Sequence, residues 1–196
     1  MAAAPERTRD RMSRVALELF TAHSYEGTSI QMIATAMGVS KAAVSYHFRT
    51  KEELLAAVAE PAFNDLQRFF DEVGAEPGKA AQRRLALKGY VSVLVKHRGL
   101  LALLEQDPAA AASPFVREKM THFAQRLVGL FIEDASNPKE QVYAAVALGG
   151  MRNAAAVFSM FSDAELNQYL LAAAERIFGR AAPRKSRASR SPSSGR

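Results

Sequence analysis

The chain contains no cysteine, which removes disulfides, thiolate metal sites and cysteine nucleophiles at once. No stretch alternates apolar with polar residues as a half-buried strand does, and no internal repeat is present. Helix is therefore the only regular structure the pattern supports. The opening residues, Met1 to Asp10, lack the apolar core that a signal peptide needs. One stretch, residues 142–161, is long enough to span a bilayer, but Arg152 and Asn153 stand at its middle. A charge there is costly in lipid, so the stretch reads as a buried helix of a cytoplasmic protein with no membrane partner. His23, His47, His97 and His122 show no metal-ligand spacing, and neither a Gly-rich phosphate loop nor a nucleophile motif occurs. No catalytic residue, metal or cofactor is expected.

What remains is a helical pattern rich in Leu and Ala. At 196 residues, 48% of them hydrophobic, the chain has enough apolar material for one medium domain or a small domain fused to a larger one. Its net charge of +6 is unevenly spread. Residues 181–196 carry five basic side chains and no acid, residues 1–51 carry seven basic against four acidic, and the central body is slightly acidic. Positive ends on an acidic body fit an amino-terminal module for a polyanion and a body with another task.

About nine helices are predicted. The first runs from about Glu6 to Ala22, with Met12, Val15, Ala16, Leu19 and Phe20 on one side. Thr28–Gln31, Thr50–Glu53 and Ser162–Glu165 read as capping boxes that open further helices. Ser113-Pro114 and Asn137-Pro138 place an N-cap before a first-turn proline, whereas Asp107-Pro108 reads as the close of a short helix from Leu100 to Gln106. A long helix from Lys51 to about Val73 contains Pro61, which should kink or break it. If it does, Pro61 is either a hinge between an amino-terminal head and the body or a plain boundary between two helices. The Ser-, Arg- and Pro-rich residues 181–196 read as a disordered basic tail, either merely solvated or adding non-specific affinity for DNA.

Residues 28–54 carry the most information. Ile30, Ile33, Ala34 and Met37 share a helical face, Gly38 breaks the pattern, and Ser40 is a suitable N-cap for a second short helix. That helix commits only Val44 and Phe48 to a core. Lys41, Ala42, Ala43, Ser45, Tyr46 and His47 are left for another surface, a mixture suited to a DNA major groove.

These residues, together with Ala16, Leu19, Phe20, Gly27, Thr28, Ser29, Lys51, Glu53 and Leu54, resemble the TetR family of bacterial transcriptional regulators. The resemblance is specific over the first quarter of the chain and rests on helix count beyond it. It implies an all-α fold: a three-helix DNA-binding head with a helix-turn-helix over residues 1–50, and an effector-binding and dimerisation body over 51–180. It also implies phosphate contacts from Thr28 or Ser29, Tyr46, His47 and Lys51, and base contacts from Gln31, Lys41, Ala42 and Ala43. Ser45 stands where many members carry an aromatic. Gln31 either reads a base or only closes a capping box; Tyr46 and His47 either touch DNA or pack within the head; Lys41 either reaches the groove or is merely solvated.

For the body, the resemblance places a ligand pocket among the helices over 51–73, 79–96, 113–134 and 137–160. The candidates are Phe63, Gln67, Phe70, Tyr90, Leu94, Phe123, Leu127 and Asn153, with simple core packing as the alternative for the aromatic ones. Asn153 lies in a helix that is apolar all round and so needs a partner for its amide. A small, mainly apolar effector is expected, with Arg152 leaving room for a carboxylate. Small residues from Ala144 to Ala156 and from Ala172 to Ala174 would let helices approach closely in a homodimer. Such a dimer would bind double-stranded DNA at a palindromic operator, its half-sites ~34–36 Å apart. The leading reading is a ligand-released repressor; the alternative is an effector-independent DNA-binding dimer whose body docks another protein.

Overall fold

Short side chains that accept backbone N–H groups start six of the helices in this protein, and their positions help decide how the elements divide. The computed structural model describes residues 8–178 and contains ten helices and, among the described residues, no strand. They are α1 (Thr8–His23), α2 (Ile30–Met37), α3 (Lys41–His47), α4 (Lys51–Ala75), α5 (Lys79–Lys96), α6 (Arg98–Gln106), α7 (Pro108–Ala112), α8 (Pro114–Phe131), α9 (Pro138–Val157) and α10 (Asp163–Phe178). The tail over residues 181–196 lies outside the described residues.

Ten helices rather than nine follow from Asp107. Its N–H closes α6 on the Leu103 carbonyl as expected, and its carboxylate accepts from the N–H groups of Ala109 and Ala110, both at 3.0 Å, so Asp107-Pro108 also opens α7. The expected Thr28–Gln31 box is not formed either. Ser29 caps α2, accepting from the N–H of Met32, while the buried Thr28 hydroxyl donates to the carbonyls of Leu19 and Ser24. Ser162 and Glu165 do form a reciprocal box, at 2.9 and 3.3 Å. Pro61 does not break α4, which runs unbroken for 25 residues with the proline on its exposed side. The proline costs the helix one hydrogen bond, that to the carbonyl of Ala57, without dividing it.

A single apolar core runs from Met12, Ala16 and Phe20 in α1 through α4 and α5 to Phe178 at the end of α10. α1, α2 and α3 form the head, α1 packs on α4, and α6 packs on both α1 and α9. Head and body therefore share one interior. α5 lies so close to α4 that a Cβ at Gly89 would meet the Phe69 ring at 2.6 Å, which only a residue without a side chain avoids.

One face of the body is left unpartnered. Apart from Tyr46, every large apolar side chain exposed among the described residues lies on α9, the turn after it, or α10: Val142, Tyr143, Val146, Val157, Phe158, Met160, Tyr169 and Ile177. The small residues expected to make a close-packed interface are divided: Ala144, Ala147, Ala155, Ala156 and Ala174 are buried inside the subunit, whereas Ala145, Gly150 and Ala172 are exposed and Gly149, Ala154 and Ala173 half-buried.

Asp107 also joins the two regions, because its second oxygen accepts from the backbone N–H of Tyr25 in the α1–α2 turn. Buried and bonded to three amides, it holds the far end of α6 against the head. Asp107→Ala is expected to lower unfolding free energy by about 2 kcal/mol, since hydrogen bonds to charged groups are worth about 1.5–3 kcal/mol and orphaned buried amides add to the loss. Urea denaturation measures it; a loss below about 0.5 kcal/mol would show that the contact contributes little.

Candidate functional site

α3 is seven residues long and is held from below. Val44 and Phe48 are completely buried, one turn apart, and the guanidinium of Arg9 covers the Phe48 ring at 4.7 Å. Ser40 caps its start, accepting from the N–H of Ala43 at 3.1 Å. Gly38 turns the chain from α2 into α3 with φ of 70°, the left-handed conformation that favours glycine, and the N–H groups of Gly38 and Val39 close the end of α2 on Thr35 and Ala34. The opposite side of α3 is open. Lys41, Ala42, Ser45 and Tyr46 are exposed, Ala43 and His47 are half-buried, and Tyr46 is 86% exposed with its ring edge-on to His47 at 5.4 Å.

Ser29 and Gln31 are exposed, with the Gln31 amide donating to the Thr35 hydroxyl at 3.4 Å. Two residues expected at the interface are engaged elsewhere. Thr28 is 1% exposed and bonded internally, which leaves Ser29 as the hydroxyl at the start of α2. The Lys51 ammonium donates to the carbonyls of Tyr25 and Glu26 at 2.8 and 3.2 Å and lies 4.5 Å from the Tyr25 ring centre. It clasps α4 to the α1–α2 turn. Burial, with the nearby Glu52 carboxylate, pushes the Tyr25 phenol up to about 12. Sequence reasoning missed this clasp because a lysine at a helix start equally suits a phosphate, and its carbonyl partners lie some 25 residues away.

A short, capped helix with its outer side bare, following a glycine turn on a three-helix head, has the geometry of a groove-reading helix-turn-helix. Residues 14–58 match the family model described as bacterial regulatory proteins, tetR family. Over 162 residues the chain is 32% identical to the HTH-type transcriptional regulator TcmR of Streptomyces glaucescens, covering 73% of this chain and 70% of that protein. The chain belongs to the TetR family. It is a DNA-binding regulator of transcription, and its relatives are regulators rather than enzymes. The TetR-family regulator SCO3833 of Streptomyces coelicolor A3 has the same fold, with a TM-score of 0.69 at 23% identity over 91% of this chain and 92% of that one. So does AibR, solved with isovaleryl coenzyme A and operator DNA, with a TM-score of 0.61 at 17% identity over 88% and 98%.

The TetR-type body holds a partly open cavity of about 340 Å³ among α4, α5, α6, α8 and α9. Of the eight expected lining residues, Phe63, Tyr90, Leu94, Phe123 and Leu127 are on its wall. Phe70 stands behind it, stacked on Phe123 and covered by Arg126. Gln67 is exposed, donating to Asp71 and accepting from Arg126. Asn153 is also exposed, on the bare face of α9. Neighbouring residues on a helix point about 100° apart, so the position that faces inward is Arg152. α6 was missed as a wall although its run Leu100, Leu101, Leu103, Leu104 is amphipathic; three of these four line the cavity.

His97, at the α5–α6 junction, also reaches the cavity wall, and its Nε2 lies 2.7 Å from the buried Asp65. Burial and the adjacent Lys96 ammonium push the imidazole down to about 4, so at neutral pH it is uncharged and donates to Asp65. No helix of the described residues is long and apolar enough to cross a membrane.

Lys51→Met tests the clasp. It is expected to lower stability by about 1–2 kcal/mol in urea denaturation, while the dependence of DNA affinity on salt keeps its slope. A shallower slope would return Lys51 to the phosphate backbone, each phosphate contact contributing about 0.9 to it.

Proposed function

We propose that the protein is a homodimeric repressor that binds a palindromic operator through α3 and is released from it by a small, mainly apolar effector bound in the body. The observation that carries this reading is the bare outer side of α3, with Lys41, Ala42, Ser45 and Tyr46 exposed above a fully buried Val44 and Phe48. Lysine can donate to guanine acceptors, alanine methyls can pack on thymine, and Gln31 can pair with adenine. Ser29, Tyr46 and His47 supply phosphate contacts, with Ala43 at the base of the reading surface and Ser45 beside Tyr46.

The unpartnered face of α9 and α10 supports the dimer. Eight large apolar side chains gathered on one face of a small body are more than a monomer ordinarily exposes in one place. A two-fold pairing would cover them with a second copy. The cavity favours effector control over the effector-independent alternative, and AibR, a structural neighbour, was solved with both an acyl-coenzyme A and operator DNA. α6 supplies the coupling route: it lines the cavity through Leu100, Leu101 and Leu104, packs on α1, and ends at the Asp107–Tyr25 contact. An effector that prefers a displaced α6 would shift the population away from the DNA-binding arrangement. Such a regulator works beside the chromosome, in the cytoplasm.

Selection of binding sites from random duplex DNA by the purified protein should enrich an inverted repeat. Lys41→Ala and Tyr46→Ala should each weaken binding to that site by about tenfold or more, a base or phosphate contact being worth about 1–3 kcal/mol. Enrichment of no sequence, or full affinity in both variants, would overturn the assignment of α3. Val146→Glu should convert the dimer to a monomer in light scattering with the helical circular-dichroism spectrum unchanged. A wild-type chain that is already monomeric at micromolar concentration, or a variant that still dimerises, would remove α9 from the interface.

A further inference from the structure

The cavity has a lopsided polar inventory. Of its lining residues only Tyr90, His97 and Arg152 carry polar side chains, and none carries a carboxylate. Two of the three are already matched. The Tyr90 hydroxyl points to the carbonyl of Leu148 at 3.4 Å, and His97 is bonded to Asp65. Arg152 is the exception. One terminal nitrogen is 2.9 Å from Glu105, its Nε is shielded from solvent with no acceptor, and among the described residues no other acceptor meets the guanidinium, whose side chain is 39% exposed. A second, smaller cavity shares Leu101, Leu104, Met120 and Arg152 with the first and adds Glu105 and Arg117. Arg152 thus stands on the wall shared by a large apolar chamber and a polar annex lined by two arginines and one glutamate.

We infer that the effector is an amphiphilic acid whose apolar body fills the chamber and whose anionic head is held by Arg152 at the shared wall, in competition with Glu105. This deepens the effector reading given above and rests on it. A guanidinium with an unmatched edge suits a carboxylate because it can donate two parallel bonds, and such charge-assisted bonds are about twice as strong as neutral ones. A lipophilic amine of the same size finds no acid on the chamber wall and brings a second cation to Arg152. A neutral apolar molecule gains the burial but leaves the guanidinium unmatched.

The test holds the apolar part constant and changes the head. Decanoate, decan-1-ol and decylammonium are titrated by calorimetry into the full-length protein, the Arg152→Met variant and the Glu105→Gln variant. In wild type, decanoate should bind about tenfold tighter than decanol, with decylammonium weakest. Arg152→Met keeps the apolar stem and should bring decanoate down to the affinity of decanol while decanol changes little. Glu105→Gln removes the competing anion and should tighten decanoate several-fold without changing decanol. Equal binding of acid and alcohol in wild type overturns the head-group assignment and leaves the effector cavity standing. Uniform weakening of all three ligands in Arg152→Met overturns it too, since the arginine would then only support the wall. Weaker decanoate binding in Glu105→Gln does the same. Failure of every ligand to bind the folded wild-type protein removes the cavity as an effector site altogether.

Discussion

A buried carboxylate, that of Asp107, gathers three backbone N–H groups from two parts of the chain that are 82 residues apart. Two of these begin α7 and fix the far end of α6; the third belongs to Tyr25, in the turn that separates α1 from the helix-turn-helix. A charge in such a place is tolerated only when hydrogen bonds replace its water, so the three amides and the carboxylate hold each other in position. Lys51 reinforces the same turn from the other side through the carbonyl of Tyr25. The turn is therefore gripped at its N–H by the body and at its carbonyl by the start of α4. α6, which lines the cavity, and α4, which follows α3, both pack on α1 and also converge by hydrogen bonds on one residue of the turn, Tyr25.

The helix-turn-helix was legible because its signals are local. Ser40 caps, Gly38 turns, and Val44 of α3 and Phe48 just after it are the buried apolar pair at one-turn spacing; each of these acts within a few residues of itself. What escaped the sequence involved either a shift of one position or a partner far along the chain. Thr28 and Ser29 are both good caps, and only the carbonyls of Leu19 and Ser24 decide that Thr28 turns inward. Arg152 and Asn153 are neighbours in an apolar helix, and the packing of α9 on α5 and α6 decides which faces the cavity. Asn153 was expected inside because its surroundings are apolar. They are, but they form the bare outer stripe between Val146 and Val157 rather than the core.

Asp107-Pro108 shows the same ambiguity in capping. An acid before a proline ends one helix and starts the next equally well, and here it does both. Pro61 erred the other way, since a proline on the exposed side of a long, well-packed helix interrupts one hydrogen bond without dividing the element. Alanine content divided between two roles: Ala144, Ala147, Ala155 and Ala156 of α9 pack within the subunit, while Ala145 and Gly150 are exposed along with the larger Val142, Tyr143 and Val146.

α3 has seven residues, well short of the roughly 12–15 at which an isolated helix becomes even marginally stable in water. The reading surface has no rigidity of its own; it borrows all of it from Val44 and Phe48 seated in an interior that extends without a break to the last helix. Genetically, the target for loss of regulation is therefore broad. Substitutions that loosen distant packing, such as a side chain added at Gly89 against Phe69, should reach the outer side of α3 through that shared interior. A map of inactivating mutations would trace the shared interior rather than outline a small patch.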